Sequence, residues 1–226
     1  MFKDKYKNNN YYIKKLEISD FDLLYNIGKN PLIWEQHPEN DRWKEEKFKI
    51  YFDKGIKNEF GIYGVFDKRK DVIIGSSRFY DFNKNSSCIK VGYTFLIPEY
   101  WGTSTNYQLK VLMLNEAFKI VDNVLFDIGK INLRSRRAVE KLGASLLNDA
   151  HEINIVYELR KNVFLLIKNK NEQIQFLEIL SSGCKKHPAY RAHRKPTGNC
   201  HQCVVMWNAK KRINFSLINK HYDSLL

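Results

Sequence analysis

The last part of the chain lacks acidic residues altogether. Residues 179–222 contain no aspartate or glutamate, yet this stretch holds nine basic residues: Lys185, Lys186, Arg191, Arg194, Lys195, Lys210, Lys211, Arg212 and Lys220. The whole chain of 226 residues has a formal net charge of +13, so most of the excess positive charge lies in this segment. Such asymmetry predicts an appended module that meets an anionic partner, with a solvated basic tail as the alternative.

Long apolar runs are absent too. No stretch approaches the roughly 18–20 apolar residues of a membrane helix, and the opening MFKDKYKNNN is polar and basic, unlike a signal peptide. We therefore expect a cytoplasmic protein without a membrane partner. Hydrophobic residues make up 43% and aromatic residues 14% of the chain, which is enough for a real core.

Cysteine is scarce, and its placement is uneven. Of four cysteines, Cys88 stands alone in a predicted strand, where it serves as a small apolar residue. The other three, Cys184, Cys200 and Cys203, are clustered. In a reducing compartment, such a cluster indicates a metal site before a disulfide.

The clustered cysteines form two close pairs with histidine included. Cys184 and His187 form a C-x2-H pair, and Cys200 and Cys203 form a C-x2-C pair after a glycine-containing turn. Two such pairs can wrap one tetrahedral Zn²⁺, and four protein ligands leave no open position for catalysis. We therefore expect a structural zinc knuckle at residues 184–203. His193 and His201 are alternative fourth ligands, and reduced thiols packed in a small helical domain are the alternative to a metal.

Hydrophobic periodicity divides the chain into two parts. Residues 11–161 predict the order β-α-α-β-β-β-α-β-α-β, a mixed α/β pattern whose three central strands are joined by short turns typical of antiparallel neighbours. We expect one domain over residues 1–165 and a basic extension over residues 166–226. The extension should begin as a helix from about Asn171.

The stretch IPEYWGTSTNYQLK, residues 97–110, passes from a strand through small residues into a helix. Such a turn can point several backbone N–H groups at a phosphate, although an ordinary connection would look similar. The sequence has neither a P-loop nor a G-x-G-x-x-G motif, so a Walker-type or Rossmann site is excluded.

The element order, together with GSSRFYDF, VGYTFLIPEYWGTSTNYQLKVLMLNEAF and INLRSRRAVEKLGA, resembles the GNAT superfamily of acetyl-CoA-dependent N-acetyltransferases. It is most similar to the branch of the ribosomal-protein N-terminal acetyltransferases. The resemblance covers about residues 11–161. It implies the GNAT fold, with a mostly antiparallel sheet, one splayed strand and flanking helices, followed here by the small helical zinc module.

The resemblance also implies where acetyl-CoA binds. The splayed strand would grip the pantetheine arm with the backbone of Phe95, Leu96 and Ile97. The turn would wrap the pyrophosphate with six consecutive residues: Trp101, Gly102, Thr103, Ser104, Thr105 and Asn106. One departure is Ser104, which replaces a family glycine and would be strained at positive φ.

The reaction implied is direct attack of a substrate amine on the thioester. Asn132 and Ser135 would face the thiol end, with Ser135 hydrogen-bonding the leaving sulfur and Asn132 orienting it; a helix-capping role is the alternative for Ser135. Lys90 stands where many relatives carry a glutamate, so the base is open, with Tyr93 and Asp81 as weaker candidates. Asp127 is expected to be structural.

Three arginines lie beside this site. A guanidinium near the CoA phosphates would be useful, which favours Arg136 or Arg137 within the cluster that also contains Arg134. A solvated helix face would account for them equally well.

Two functions follow as alternatives. The first is an N-acetyltransferase that acts on a protein N-terminus, a lysine or a small amine. The second is a GNAT-fold binding protein with little catalysis, whose basic tail, with Tyr190 and Trp207, contacts nucleic acid or a protein partner. Oligomers occur in the family, and the sequence does not specify one here.

Overall fold

The computed structural model describes residues 2–148 and 153–223. It divides into two compact units, Met1–Phe164 and Leu165–Leu226.

The first unit is built on one eight-stranded sheet in the order β1-β2-β3-β4-β5-β6-β8-β7. The strands are β1 (Lys5–Lys7), β2 (Tyr11–Lys15), β3 (Tyr63–Asp67), β4 (Val72–Asn83), β5 (Cys88–Leu96), β6 (Asn123–Gly129), β7 (Ser145–Asn148) and β8 (Asn154–Arg160). All neighbours are antiparallel except β5 and β6, which are parallel. The expected mostly antiparallel α/β sheet is confirmed.

Four helices accompany the sheet: α1 (Phe21–Gly28), α2 (Glu45–Ile56), α3 (Thr105–Ala117) and α4 (Leu133–Glu140). Two apolar clusters form the core of this unit. One contains Phe79, Leu109, Met113 and Phe126, and the other contains the aromatic residues of α2 with Trp34 and Phe95. All four helices were expected from their apolar spacing.

Two strands differ from the sequence-based expectation, and so does one helix start. The strands β1 and β7, which were not predicted, are only three and four residues long, too short for a hydrophobic period to be recognised. The long helix α5 (Lys161–Ser182) begins directly after β8, ten residues before the expected start, because no turn residue separates the two elements. The last helix is α6 (His201–Asp223).

The second unit has a very small core. Its buried residues, among those described, are Cys184, Ala192, Cys203, Met206 and Ala209. Ile179, Leu180 and Tyr190 pack against the cluster that the first four form. Within the described residues, no helix combines the length and the hydropathy that crossing a membrane requires.

Candidate active site

The two parallel strands of the sheet pair over only three residues and then part. Cys88, Ile89 and Lys90 of β5 lie opposite residues 123–125 of β6, and the pairing ends there. Both strands continue beyond this point, β5 to Leu96 and β6 to Gly129. The gap between them is a cleft of about 270 Å³. The splayed strand is therefore present.

A bulge lies on β5 where the cleft opens. Ser76 pairs with Phe95 and Arg78 with Gly92, so Tyr93 and Thr94 lie together opposite one residue of β4. Tyr93 has a φ of 51°, and its carbonyl accepts a hydrogen bond of 2.9 Å from the Tyr51 hydroxyl. The Tyr93 ring lines the cleft and is 43% exposed, so a substrate can reach it.

The turn before α3 presents free backbone donors. Among the described residues, no hydrogen-bond acceptor meets the N–H groups of Gly102, Thr103, Ser104 and Asn106. Gly102 takes the positive φ, at 70°, whereas Ser104 has a φ of −74°. The strain expected at Ser104 is therefore absent, because the glycine two residues earlier makes the turn.

The first turn of α3 is fixed by hydroxyl groups. Thr105 is buried, and its hydroxyl lies 2.8 Å from those of both Tyr11 and Thr103. Thr103 in turn donates to the Tyr100 carbonyl at 2.7 Å. The Thr103 hydroxyl also accepts the Thr105 N–H at 3.2 Å, so these contacts fix both threonine side chains at the first turn of α3.

The Trp101 side chain is held in place next to the turn by two contacts. Its indole N–H donates to the Leu96 carbonyl at 2.7 Å, and the Arg134 guanidinium lies 3.8 Å from its ring centroid. The Ile97 N–H donates to the Ile74 carbonyl at 2.9 Å. The Ile97 carbonyl accepts the Tyr100 N–H at 3.1 Å, so at least three backbone groups of the segment 95–97 are already engaged, and its grip on pantetheine stays a prediction.

Asn132 and Ser135 lie together at the start of α4, and both line the cleft. The Asn132 side chain accepts the Ser135 backbone N–H at 3.0 Å, which is a helix N-cap. Within the described residues, the Ser135 hydroxyl has no hydrogen-bond partner. Asn132 therefore fixes the helix start, and the serine hydroxyl is available to a ligand.

Comparison with known proteins places this architecture in a family. A model of the acetyltransferase (GNAT) domain matches residues 11–145. The chain belongs to the GNAT acetyltransferase family. No protein of curated function matches the sequence significantly.

Solved GNAT structures share the fold. A GCN5-related N-acetyltransferase from Brucella melitensis has a TM-score of 0.64 at 13% identity, covering 80% of this chain and 88% of its own. A spermidine N-acetyltransferase from Vibrio cholerae, solved with CoA and spermine, has a TM-score of 0.55 at 16% identity, covering 70% and 99%. A ribosomal-protein-S5-alanine acetyltransferase from Vibrio fischeri has a TM-score of 0.50 at 18% identity, covering 70% and 97%. At these identities the likeness shows the fold alone, and the expected branch stays a prediction.

Lys90 of this GNAT domain is tied to two carboxylates. Its ammonium lies 2.8 Å from Asp127 and 3.0 Å from Asp81, and Tyr80 donates to Asp127 at 3.3 Å. Burial opposes the charge on Lys90, but the hydrogen bonds to the two aspartates outweigh it and raise the lysine pKa. The lysine is therefore a fixed cation beside the cleft and cannot act as a base.

Another part of the cleft wall comes from the loop before α2, which was not expected at the site from the sequence. Trp34, His37, Glu39 and Arg42 line the cleft there, and Arg42 pairs with Glu39 at 2.8 Å. Burial, with the nearby charge of Arg42, lowers the pKa of His37 to about 4. His37 is therefore neutral and a weak base at neutral pH. Within the described residues, Glu39 and Asp127 are the carboxylates that line the cleft.

The arginine nearest the turn is Arg134, which stacks on Trp101. Arg136 is engaged elsewhere, donating to the Tyr157 hydroxyl at 3.1 Å and to the Lys130 carbonyl at 3.0 Å. Arg137 is exposed. Arg134 is therefore the arginine at the turn, whereas the sequence favours Arg136 or Arg137 for this position.

Lys110 also lies at the cleft without having been expected there from the sequence. It is buried on α3, lines the cleft and donates to the Thr94 hydroxyl at 2.8 Å. Its spacing was a usable signal, since Lys110 lies four residues after Asn106 and four before buried Leu114, on the same side of the helix.

In the second unit, the structure brings the four predicted metal ligands together. The ligand atoms of Cys184, His187, Cys200 and Cys203 all lie within 4.8 Å of one another. Within the described residues, His193 and His201 are not part of this group. A hydrogen bond from the Cys203 backbone lowers the pKa of the Cys200 thiol to about 6, which favours the metal-binding thiolate.

Proposed function

We propose that the protein is an acetyl-CoA-dependent N-acetyltransferase in which an amine attacks the thioester directly. The observation that carries this proposal is the cleft between β5 and β6, which leads to a turn with four unpaired N–H groups among the described residues. A pyrophosphate at that turn would meet the donors and the positive end of α3 together. The pantetheine arm would then run along residues 95–97 into the cleft.

The thiol end would lie at Ser135 and Asn132. The free hydroxyl of Ser135 would donate a hydrogen bond to the sulfur as negative charge develops there, and Asn132 would hold the serine in place through its cap. Tyr93, on the bulge, would border the acetyl group and the acceptor.

The acceptor would enter between the loop of Trp34–Arg42 and the strand β6. Glu39 and Asp127 line the cleft, so their carboxylates, each paired with one cation, would accept hydrogen bonds from the acceptor amine. Two of the solved GNAT structures described above are a spermidine N-acetyltransferase and a ribosomal-protein-S5-alanine acetyltransferase. Polyamines and alanine-starting peptides are therefore the first acceptors to screen, with lysine peptides next.

Acetyl-CoA binding tests the proposal on the full chain. Acetyl-CoA should raise the melting temperature, and no shift at millimolar acetyl-CoA would contradict the proposal. The variant Gly102→Ala adds a methyl group to open space at the turn, at a φ of 70°. It should weaken binding by about tenfold, because the methyl group would occupy the room that the phosphate needs.

Gly183→Ala is the matched control. Gly183 has a φ of 66° and the same open surroundings, but it lies in the second unit. Its backbone strain is comparable, so it should leave acetyl-CoA affinity unchanged. Equal affinities in both variants would remove the turn from the binding site.

We also propose that Cys184, His187, Cys200 and Cys203 hold a structural Zn²⁺. The Cys184 sulfur lies 3.7 Å from both the Cys200 sulfur and the His187 Nδ1, and the Cys203 sulfur lies 3.4 Å from that nitrogen. A tetrahedron with Zn–S bonds of about 2.3 Å has edges of about 3.7 Å, so the residues fit the metal. The metal content of purified protein tests this: one equivalent is expected, and less than half would contradict the site.

A further inference from the structure

Lys110 brings a buried amine to the wall of the cleft. The residue is 6% exposed, and its Nζ donates to the Thr94 hydroxyl at 2.8 Å and lies 5.6 Å from the centroid of the Phe126 ring. Thr94 belongs to β5 and Phe126 to β6, so the amine sits where the two splayed strands face each other. None of the roles assigned so far uses it.

The position of the Lys110 amine along β5 can be compared with the expected path of acetyl-CoA. In the proposed function, on which this inference rests, the pantetheine arm follows residues 97 to 95. The next residue toward the bulge is Thr94, about 3.3 Å further along the strand. The thioester would therefore lie at the level of Thr94, beside the Lys110 amine.

The surroundings of Lys110 make its proton mobile. Among the described residues, no carboxylate lies within ion-pair distance of its Nζ, whereas the charged groups Asp127 and Glu39 on the cleft wall are paired with Lys90 and Arg42. Burial lowers the pKa of Lys110 to about 7. The ammonium form is thus a stronger acid than a thiol of pKa about 8.5.

We propose that the Lys110 ammonium donates the proton that the leaving CoA sulfur requires. The acceptor, as the neutral amine that has lost its ammonium proton to water, forms a bond from nitrogen to the acetyl carbon, and the C–S bond breaks. The sulfur takes the proton from Lys110 and leaves as the thiol. The neutral Lys110 then recovers, through water, the proton that the new amide nitrogen loses, so protons balance over one turnover.

This role is distinct from that of Ser135. A serine hydroxyl can hydrogen-bond the sulfur but is too weak an acid to remain deprotonated after giving up its proton. An ammonium group of lowered pKa can transfer the proton completely. The two residues would approach the sulfur from α4 and from α3.

The first test needs no acceptor. CoA itself is bound to the full chain, and the ionisation of its thiol is followed by ultraviolet difference absorbance, with the protein alone subtracted. A thiolate stabilises the ammonium form of a neighbouring lysine, so the two groups titrate as a coupled pair and the thiol pKa of bound CoA should be lower by about one unit or more than in Lys110→Met. Lys110→Arg keeps the charge and should retain the lowered value.

The second test separates charge from proton transfer. With an accepted amine, Lys110→Met and Lys110→Arg should both lower kcat by about 10²-fold or more while the KM for acetyl-CoA stays within about twofold. Lys119→Met is the control, since Lys119 is an exposed residue just after α3 and pairs with Glu116 at 2.7 Å. It should behave as the wild type. Met is apolar and of similar length, so the folded state should tolerate it at this buried position.

The outcomes distinguish this inference from the function on which it rests. A wild type that binds neither CoA nor acetyl-CoA contradicts the acetyltransferase proposal itself. Normal binding with the same thiol pKa in the wild type and Lys110→Met overturns the role of Lys110 alone. Mass spectrometry that finds an acetyl group on Lys110 would overturn it as well, because the amine would then be a nucleophile.

Discussion

The two units of the chain differ in the size of their hydrophobic cores. Residues up to Phe164 bury two aromatic-rich clusters against an eight-stranded sheet. Within the described residues, the unit from Leu165 buries five, two of which are cysteines. A core that small cannot offset the chain entropy of about 60 residues. The comparison teaches that the first unit is stabilised by packing, and we expect the second to depend on the proposed zinc site.

Removal of one ligand should produce the largest effect. Cys200→Ser should abolish zinc binding and unfold the second unit, because structural zinc contributes on the order of 10 kcal/mol in small metal domains. Limited proteolysis should then cut within residues 165–223 while acetyl-CoA affinity stays unchanged. Cys88→Ser is the control, since Cys88 lies in β5 of the first unit. A Cys200→Ser protein with an intact second unit would contradict the expected dependence of this unit on the zinc site.

Loss of core packing should affect the other unit. Phe48 is fully buried and packs on the rings of Tyr25, Trp34, Tyr51 and Phe95. Phe48→Ala should lower the free energy of unfolding of the first unit by about 3–5 kcal/mol in a urea titration. The zinc content should stay at one equivalent. Phe82→Ala, at a residue that is 37% exposed, should change stability by much less.

A smaller effect is expected from the hydrogen bond of 2.8 Å that Tyr100 donates to Asp67. This bond is the main cause that holds the Asp67 pKa below its ordinary value. Such a group stabilises the fold above the unfolded-state pKa of about 3.9, and the stability is lost as the pH falls through the lower folded-state pKa. Tyr100→Phe should cost about 1 kcal/mol at pH 7 and less at pH 3. An equal loss at both pH values would contradict this account.

The smallest effect on stability is expected from the exposed charges of the second unit. Arg194→Gln with Lys195→Gln should leave unfolding unchanged. If the basic segment binds nucleic acid, the double variant should weaken binding to a single-stranded RNA and reduce the salt slope by about one for each phosphate that is no longer neutralised. Arg69→Gln with Lys70→Gln, in the first unit, is the control. An identical slope in both double variants would place the nucleic-acid surface elsewhere.

Sequence reasoning identified the strand-turn-helix of residues 97–110 because small residues between two periodic segments have a local meaning. It also identified the four clustered ligands, since their spacing is local. It missed Lys110, although the spacing from Asn106 and Leu114 was a usable signal; the contact with Thr94 depends on how α3 packs against β5 and could not be predicted. The contribution of Trp34 and Arg42 to the cleft wall could not be predicted either, because the sequence does not show which loop reaches the cleft. The strain expected at Ser104 was misplaced because the turn type is set by Gly102.

Hydrogen–deuterium exchange with and without acetyl-CoA tests the central claim most directly. The account predicts slower exchange in residues 91–106 and 126–135, which contain the splayed ends of β5 and β6, the turn and the start of α4. It also predicts unchanged exchange in residues 184–203. Protection that is absent from the first two segments, or that appears only in the Cys/His segment, would contradict the assignment of the cleft as the acetyl-CoA site.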